Sequence, residues 1–599
     1  MGVTVARRQA ARTTLSVLLL LLLSLLAAAG TAGAGGGPTQ RWRFDAVDRV
    51  IAFGDVHGDH AALVTLLTHA GVIDADGNWI AGDTHLVSLG DLLDRGPESR
   101  KVMDLLMRLQ QQAPGAGGRV HVVLGNHEQM NLTGDLRYVA VEEFEAFAGP
   151  EDDRLRELAL QRVRKLKLDE KLVSERPPGF YAHRAAFAAD GYYGRWLLAQ
   201  RVLVVIGDRV YLHGGVSPLL TQVARDVDAL EPALRQVIVD VTSLASEPVL
   251  QRPDLLGTNL LRIAGSSAAA QPSLPAGLAP LAPRLRLLAD DPLFAANGPL
   301  WYRGNAGCHA LLEQPGLDRT LQYLGVSGVV VGHTTQRDHR VRSRFDGRVL
   351  LLDTGMLNRY YGGVPRAVLF ESGQAPRVLS PDGQQDTPDT ARPAVYAGFD
   401  TPRLQRLLGE GEIANADGER VQVTLGEDRV QAQVLSLGKR ARQHEIAAWH
   451  LDQMLGLGMV PLVVEREVSG KTVLLRVDEG EWITEDERTA AGRNPPNWCA
   501  SAHPFDLVRL FDVLLGNARD VSALSYRRAD LAIRLTDHAD AFARTGRIVE
   551  VSLPAVLAYA ASRVDAEQLA AQMDGLLDRA RLKALLARHQ AVLEQLGES

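Results

Sequence analysis

Cysteine is nearly absent from this chain: there are two in 599 residues, Cys308 and Cys499. That excludes a disulfide framework and a cysteine-rich zinc module. One bridge between the two would suit an oxidising compartment without being required. Aromatics make up only 5%, and neither sign of charge dominates, with 65 Lys+Arg against 72 Asp+Glu. The resulting net charge of −7 argues against a nucleic-acid binder relying on a basic surface. No internal repeat is visible. The remaining composition, 46% hydrophobic and 23% charged, is globular and excludes disorder, collagen-like repeats and a multi-span membrane protein. At about 150 residues per domain the length predicts two to four domains.

Only the amino terminus carries a long apolar run. Arg7, Arg8 and Arg12 precede residues 15–29, almost all Leu and Ala, and Ala32-Gly33-Ala34 follows as a small-x-small cleavage signal. That order predicts a signal peptide over residues 1–34, since the run is shorter than the ~20 residues of a membrane span. Arg7-Arg8 hints at twin-arginine export, but the residues after it fit poorly. Cleavage removes three arginines and leaves 62 basic against 72 acidic residues, a net charge of −10. The mature chain is then expected to be exported, periplasmic or extracellular in a bacterium, with no stable membrane insertion. Residues 371–396 contain Ser380-Pro381-Asp382-Gly383 and almost nothing apolar, so they read as a linker between residues 35–370 and 397–599. Residues 264–283 read as a flexible loop and 151–171 as a solvated amphipathic helix.

In the first region, five short apolar strands each run into glycine plus a metal-competent or charged residue. The turns are Gly54-Asp55-Val56-His57-Gly58, Gly90-Asp91-Leu92-Leu93-Asp94-Arg95-Gly96, Gly125-Asn126-His127-Glu128, His213-Gly214-Gly215 and Gly332-His333-Thr334-Thr335. Strand ends face the crevice where open α/β sheets bind ligands. Mixed carboxylate and imidazole donors there suit divalent first-row metals. One such turn arises by chance; five in order do not. His60, His69, His183 and His339 lack this context and read as ordinary residues.

The blocks GDxHG, GDxxDRG and GNHE resemble the calcineurin-like metallophosphoesterases and, within them, the phosphoprotein phosphatases. Gly125-Asn126-His127-Glu128-Gln129-Met130-Asn131, Leu300-Trp301-Tyr302-Arg303-Gly304 and Val331-Gly332-His333-Thr334-Thr335-Gln336 are similar to the bacterial, Shewanella-like branch. Thr335 stands where the wider family has a second His, which favours the narrower group. Leu124 and Asp353-Thr354-Gly355-Met356-Leu357 depart from the eukaryotic pattern at substrate-selecting positions. The resemblance implies an α/β fold, a metallophosphoesterase β-sandwich flanked by helices. It implies two divalent metal ions, Mn, Fe or Zn. Asp55 and His57 would bind the first, Asp91 would bridge both, and Asn126, His213 and His333 would complete the second. Arg95, Asn126 and Arg303 would hold phosphate, and His127, oriented by Asp94, would be the general acid. Glu128 would hold its loop by hydrogen bonds without touching metal. The implied reaction is hydrolysis of a phosphoserine, phosphothreonine or phosphotyrosine monoester by a two-metal-activated hydroxide. Its substrate is a phosphorylated protein or a small phosphoester. A dinucleoside polyphosphate or nucleotide hydrolase on the same scaffold is the alternative.

The second region reads as α+β. Residues 443–458 have helical spacing, and residues 459–466 and 472–477 read as a hairpin around Gly470. Its His444-Glu445 helix, Phe511-Asp512-Val513-Leu514-Leu515-Gly516-Asn517-Ala518-Arg519-Asp520 and Leu535-Thr536-Asp537-His538 are similar to an atypical kinase fold. The catalytic-loop Asp is one place late, the second Asn is missing and no nucleotide-binding Lys precedes Glu445. The resemblance therefore implies a pseudokinase-like domain, with Glu445, Asp520 and Asp537 as nucleotide or metal remnants, acting as a regulatory or substrate-recruiting module.

Overall fold

The computed structural model describes residues 41–247, 250–257, 280–390, 399–414, 419–478, 480–493, 504–517, 524–528, 531–545 and 553–597. The expected signal peptide, Cys499, Asp520 and the centre of the 264–283 loop lie outside the described residues.

Arg49–Phe53, His85–Ser88 and Arg119–Val122 run parallel in one six-stranded sheet. Ala367–Glu371 pairs antiparallel with the first of them, Ala367 opposite Phe53. Apart from Arg49 and Arg119 at their starts, their residues are buried on both faces, as in strands covered on both sides. A second sheet contains Leu203–Ile206, Arg209–Leu212, Gly328–Val331, Val349–Leu351 and Arg342–Arg344 in that order. Gly328–Val331 runs parallel to both of its neighbours, so its carboxyl end lies beside that of Arg209–Leu212. The two sheets meet at these ends: a Cβ on Gly54 would lie 2.7 Å from the Leu352 carbonyl oxygen.

Two expectations shift. The helix expected over 151–171 is Pro150–Leu166, ended by Lys167 at φ +54°. It is not wholly solvated: Asp152 is buried and accepts from the backbone N–H groups of Gly179, Tyr181 and Ala182. The segment expected as linker carries structure. Arg377–Leu379 pairs with Ala367–Leu369, Gln385–Asp386 pairs with Val378–Leu379, and Asp389–Thr390 extends the second sheet beside Arg342. Backbone pairing needs little apolar content, and buried Val378 and Leu379 supply what there is. Residues 391–396 of that segment are outside the described residues.

Beyond it, five antiparallel strands run in the order Glu412–Ala414, Arg420–Leu425, Asp428–Leu435, Lys471–Val477 and Val463–Val468. The helix Lys439–Leu455 ends at Gly456, φ +78°, as a left-handed cap requires. Three short strands and helices that include Thr401–Glu410, Pro504–Leu515 and Arg579–Gly597 make up the rest of this α+β region among the described residues. Its core includes Leu451, Phe511 and Leu585, and it also takes in Cys308, Leu311 and Leu312 from the first region. Cys308 is disulfide-bonded. No helix among the described residues is long and apolar enough to cross a membrane.

Candidate active site

Five strand ends bring Asp55, His57, Asp91, Asn126, His127, His213 and His333 into one buried cluster. Glycine makes the approach possible. A Cβ on Gly125 would fall 2.3 Å from Asp91 Oδ1, and one on Gly332 2.4 Å from Asp55 Oδ1. The backbone is also strained here. His57, Asp91, Asp94, Arg95 and His333 have φ of +49°, +49°, +71°, +66° and +64°. Positive φ is uncommon outside glycine and persists where surrounding bonds over-determine it. Val56 and His57 both donate their N–H to the Asp91 carbonyl at 3.0 and 2.9 Å. Glu128 supplies further bonds, accepting from the N–H groups of Asp91 and Gly125 at Oε2 and of Leu92 at Oε1.

The hydrogen bonds fix each ring's orientation. His57 and His213 donate Nδ1–H to the Leu93 and Leu89 carbonyls at 2.9 and 2.8 Å, so Nε2 carries the lone pair of each ring, and that of His57 accepts from Arg95 Nη1 at 2.5 Å. His333 is turned round: Nε2 donates to the Trp301 carbonyl at 3.2 Å, leaving Nδ1 free. His213 Nε2 then faces His333 Nδ1 at 3.0 Å, Asn126 Oδ1 at 3.0 Å and Asp91 Oδ1 at 3.3 Å. Four acceptors that converge with no donor among them fit a cation. Burial lowers the pKa of His213, but Asp91, Asp55 and Glu128 outweigh that and hold it at about 9, the same pull of negative charge that favours a cation. Next to it, His57 Nε2 lies 3.9 Å from both Asp55 Oδ2 and Asp91 Oδ2. Asp91 thus presents one oxygen to each side. Ligand-capable atoms of Asp91, His213 and His333 lie within 4.8 Å of one another, as do those of His57, Asp91 and His127. The residues present therefore fit two divalent ions.

His127 also touches this cluster, with Nε2 3.8 Å from Asp91 Oδ2. Its Nδ1 donates to Asp94 Oδ2 at 2.5 Å, and Asn131 donates to Asp94 Oδ1 at 2.8 Å. Burial lowers the His127 pKa, but Asp91 and then Asp94 outweigh it, so the ring is held above its ordinary value. Arg95 and Arg303 stand at the rim. Arg303 Nη1 donates to the His333 carbonyl at 2.7 Å and to Thr334 Oγ1 at 3.2 Å. Arg95 lies about 5.5 Å from the ring centres of Tyr138, Tyr360 and Tyr361, and its buried Nε has no partner among the described residues.

Several neighbours escaped the sequence reading. Asn131 had a local signal, four residues after His127 on the helix Asn126–Thr133. Tyr361 had none: its hydroxyl meets Arg95 Nη1 and lies 3.3 Å from His57 Nε2, across 304 residues. Thr335 donates to Asp353 Oδ2 at 2.6 Å, so a hydroxyl backed by a carboxylate stands where a second His was not found. In the carboxy-terminal region, Glu445 accepts from His538 N at 2.7 Å and faces His538 Nδ1 at 3.2 Å. Asp537 precedes that histidine with φ +65°, and Asp520 is outside the described residues.

Comparison with known proteins places the chain. The calcineurin-like phosphoesterase family model matches residues 48–219. An uncharacterized protein of Schizosaccharomyces pombe is 31% identical over 357 residues, 58% of this chain and 81% of that protein. Shewanella-like protein phosphatase 2 of Arabidopsis thaliana is 34% identical over 187 residues; the match spans 29% of this chain and about half, 48%, of that protein. Among solved structures, a cold-active protein-tyrosine phosphatase of a psychrophilic Shewanella species shares 29% identity, covering 58% of this chain and 82% of that one, with a TM-score of 0.39.

Proposed function

We propose that this chain, which belongs to the calcineurin-like phosphoesterases and to their phosphoprotein-phosphatase branch, hydrolyses phosphoserine, phosphothreonine or phosphotyrosine in exported or extracellular proteins. The observation that carries the reading is the donor-free convergence of His213, His333, Asn126 and Asp91, with His57 and Asp55 beside it and two arginines at the rim.

Asp55, His57 and Asp91 would hold one divalent ion, and Asp91, Asn126, His213 and His333 the other. Bound there, the ions would supply the Lewis acidity that activates a water and offsets phosphate charge. Arg95 and Arg303 grip the phosphate oxygens as planar forks that stay charged as the transition state builds. His127 delivers a proton from Nε2 to the leaving oxygen, while Asp94 and Asn131 fix the ring through Nδ1. Tyr138 and Tyr360 are 42% and 59% exposed beside Arg95, an apolar rim that suits a polypeptide. Export is supported by the order of residues 1–34 and by the disulfide at Cys308, a bond that persists in oxidising compartments. The carboxy-terminal region we read as a degenerate kinase-like module, because Glu445 on its helix is engaged by His538.

The purified protein with added Mn²⁺ should release phosphate from a phosphopeptide, faster than from a dinucleoside tetraphosphate. Asp91→Asn should abolish this, and full activity in that variant would sink the metal mechanism. Amino-terminal sequencing of the secreted form should begin near residue 35.

A further inference from the structure

Arg303 is flanked by two residues that share one anchor. Tyr302, the residue before it, donates its hydroxyl to Glu313 Oε2 at 2.5 Å. Asn305, two residues after it, donates Nδ2 to Glu313 Oε1 at 2.6 Å. One carboxylate thus holds both sides of the arginine. Asn305 is further clamped to the loop beyond His213, accepting from Val216 N at 2.7 Å and donating to Val216 O at 3.0 Å. Arg344 secures the same turn, donating to the Asn305 and Cys308 carbonyls at 2.5 and 2.6 Å.

Glu313 itself is buried, only 4% exposed, and burial pushes its carboxyl up to about 7. A carboxylate buried at this cost needs a reason, because an apolar residue of similar volume would stabilise the fold as well or better. Its helix, Ala310–Leu324, is firmly seated: Leu311 and Leu312 sit in the core of the carboxy-terminal region, and His309 donates to the Leu457 carbonyl at 2.8 Å. The anchor is therefore rigid at its base and directed at the turn that aims Arg303.

We propose that Glu313 is a positioning residue for phosphate binding: by holding Tyr302 and Asn305 it fixes the reach of Arg303 over the site. The inference rests on the reading of Arg303 as a phosphate-binding residue. The test uses the full-length, Mn²⁺-loaded enzyme and reads the inhibition constant of inorganic phosphate, KM and kcat on a phosphopeptide, and bound metal. Glu313→Ala should weaken phosphate inhibition by about tenfold with bound metal unchanged. Glu313→Gln, which keeps one acceptor, should recover part of that loss. Glu313→Ala combined with Arg303→Ala should be no weaker than Arg303→Ala alone, the signature of two residues acting through one interaction. An inhibition constant within about twofold of wild type in Glu313→Ala overturns the inference, as does a loss that simply adds to that of Arg303→Ala. If Glu313→Ala does not fold, Tyr302→Phe and Glu313→Gln decide: wild-type inhibition in both overturns it, weakened inhibition in both supports it. Wild-type inhibition in Arg303→Ala would instead remove the reading of Arg303 on which all of this stands.

Discussion

His127 is held from both ends, and the two ends have different tasks. Nδ1 is committed to Asp94, which leaves Nε2 as the face that would meet a leaving group in the proposed reaction. A general acid matters in proportion to how poor the leaving group is. His127→Asn should therefore lower kcat on a phosphoserine peptide by about 10²–10⁴-fold and on an aryl phosphate far less. Equal losses on both would mean that the ring does something other than protonate. Asn131→Ala should reproduce the same selectivity more weakly, because it loosens Asp94 and leaves His127 in place.

The elements matter here through their ends. Each strand is short and buried, so its turn is carried rigidly, and the turns pack against one another with no room for side-chain carbons. Gly125 is at an ordinary negative φ, so its requirement is for space. Gly125→Ala puts a methyl against Asp91 Oδ1 and should lower bound metal and kcat together, read by metal analysis on the folded variant. A different element controls acid stability. The helix Phe180–Ala186 carries His183 among the rings of Phe144, Phe147 and Phe187, where burial pushes its pKa down to about 3 from 6.5. The unfolded chain takes up this proton first as pH falls. Stability from His183 is thus complete above about pH 6.5 and declines toward pH 3, by at most about 5 kcal/mol. Denaturant midpoints measured between pH 7 and 4 should fall steeply in the wild type and less steeply in His183→Leu.

The whole molecule is less divisible than its motif blocks suggest. Leu311 and Leu312 lie in the core of the carboxy-terminal region, and the strands between residues 377 and 390 belong to the sheets that carry the active site. A chain ending at Thr390 should melt at a lower temperature than the full chain, since uncovering the two leucines alone costs about 3–5 kcal/mol. An unchanged melting temperature would show that the first region stands alone. The disulfide at Cys308 makes a further prediction: denatured, unreduced protein should react with no thiol reagent, because the chain has only two cysteines.

Much of the buried cluster was legible in the sequence because its donor side chains are local. Each block encodes a strand, a glycine turn and a donor within about six residues, and their chemistry speaks without knowledge of the fold. The apolar strands leading into the blocks were legible for the same reason, since buried strands advertise themselves by composition. The polar segment over residues 371–390 was not, because its pairing is carried by backbone groups that every residue shares. Nor were Tyr361 and Glu313. Tyr361 reaches His57 from 304 residues away, and Glu313 acts through its neighbours, so neither carries a motif. The sequence by itself determined which carboxylates and imidazoles end the apolar strands. Only the tertiary structure decided which nitrogen of each imidazole faces inward and what holds the arginine in place, because hydrogen bonds between distant segments set both.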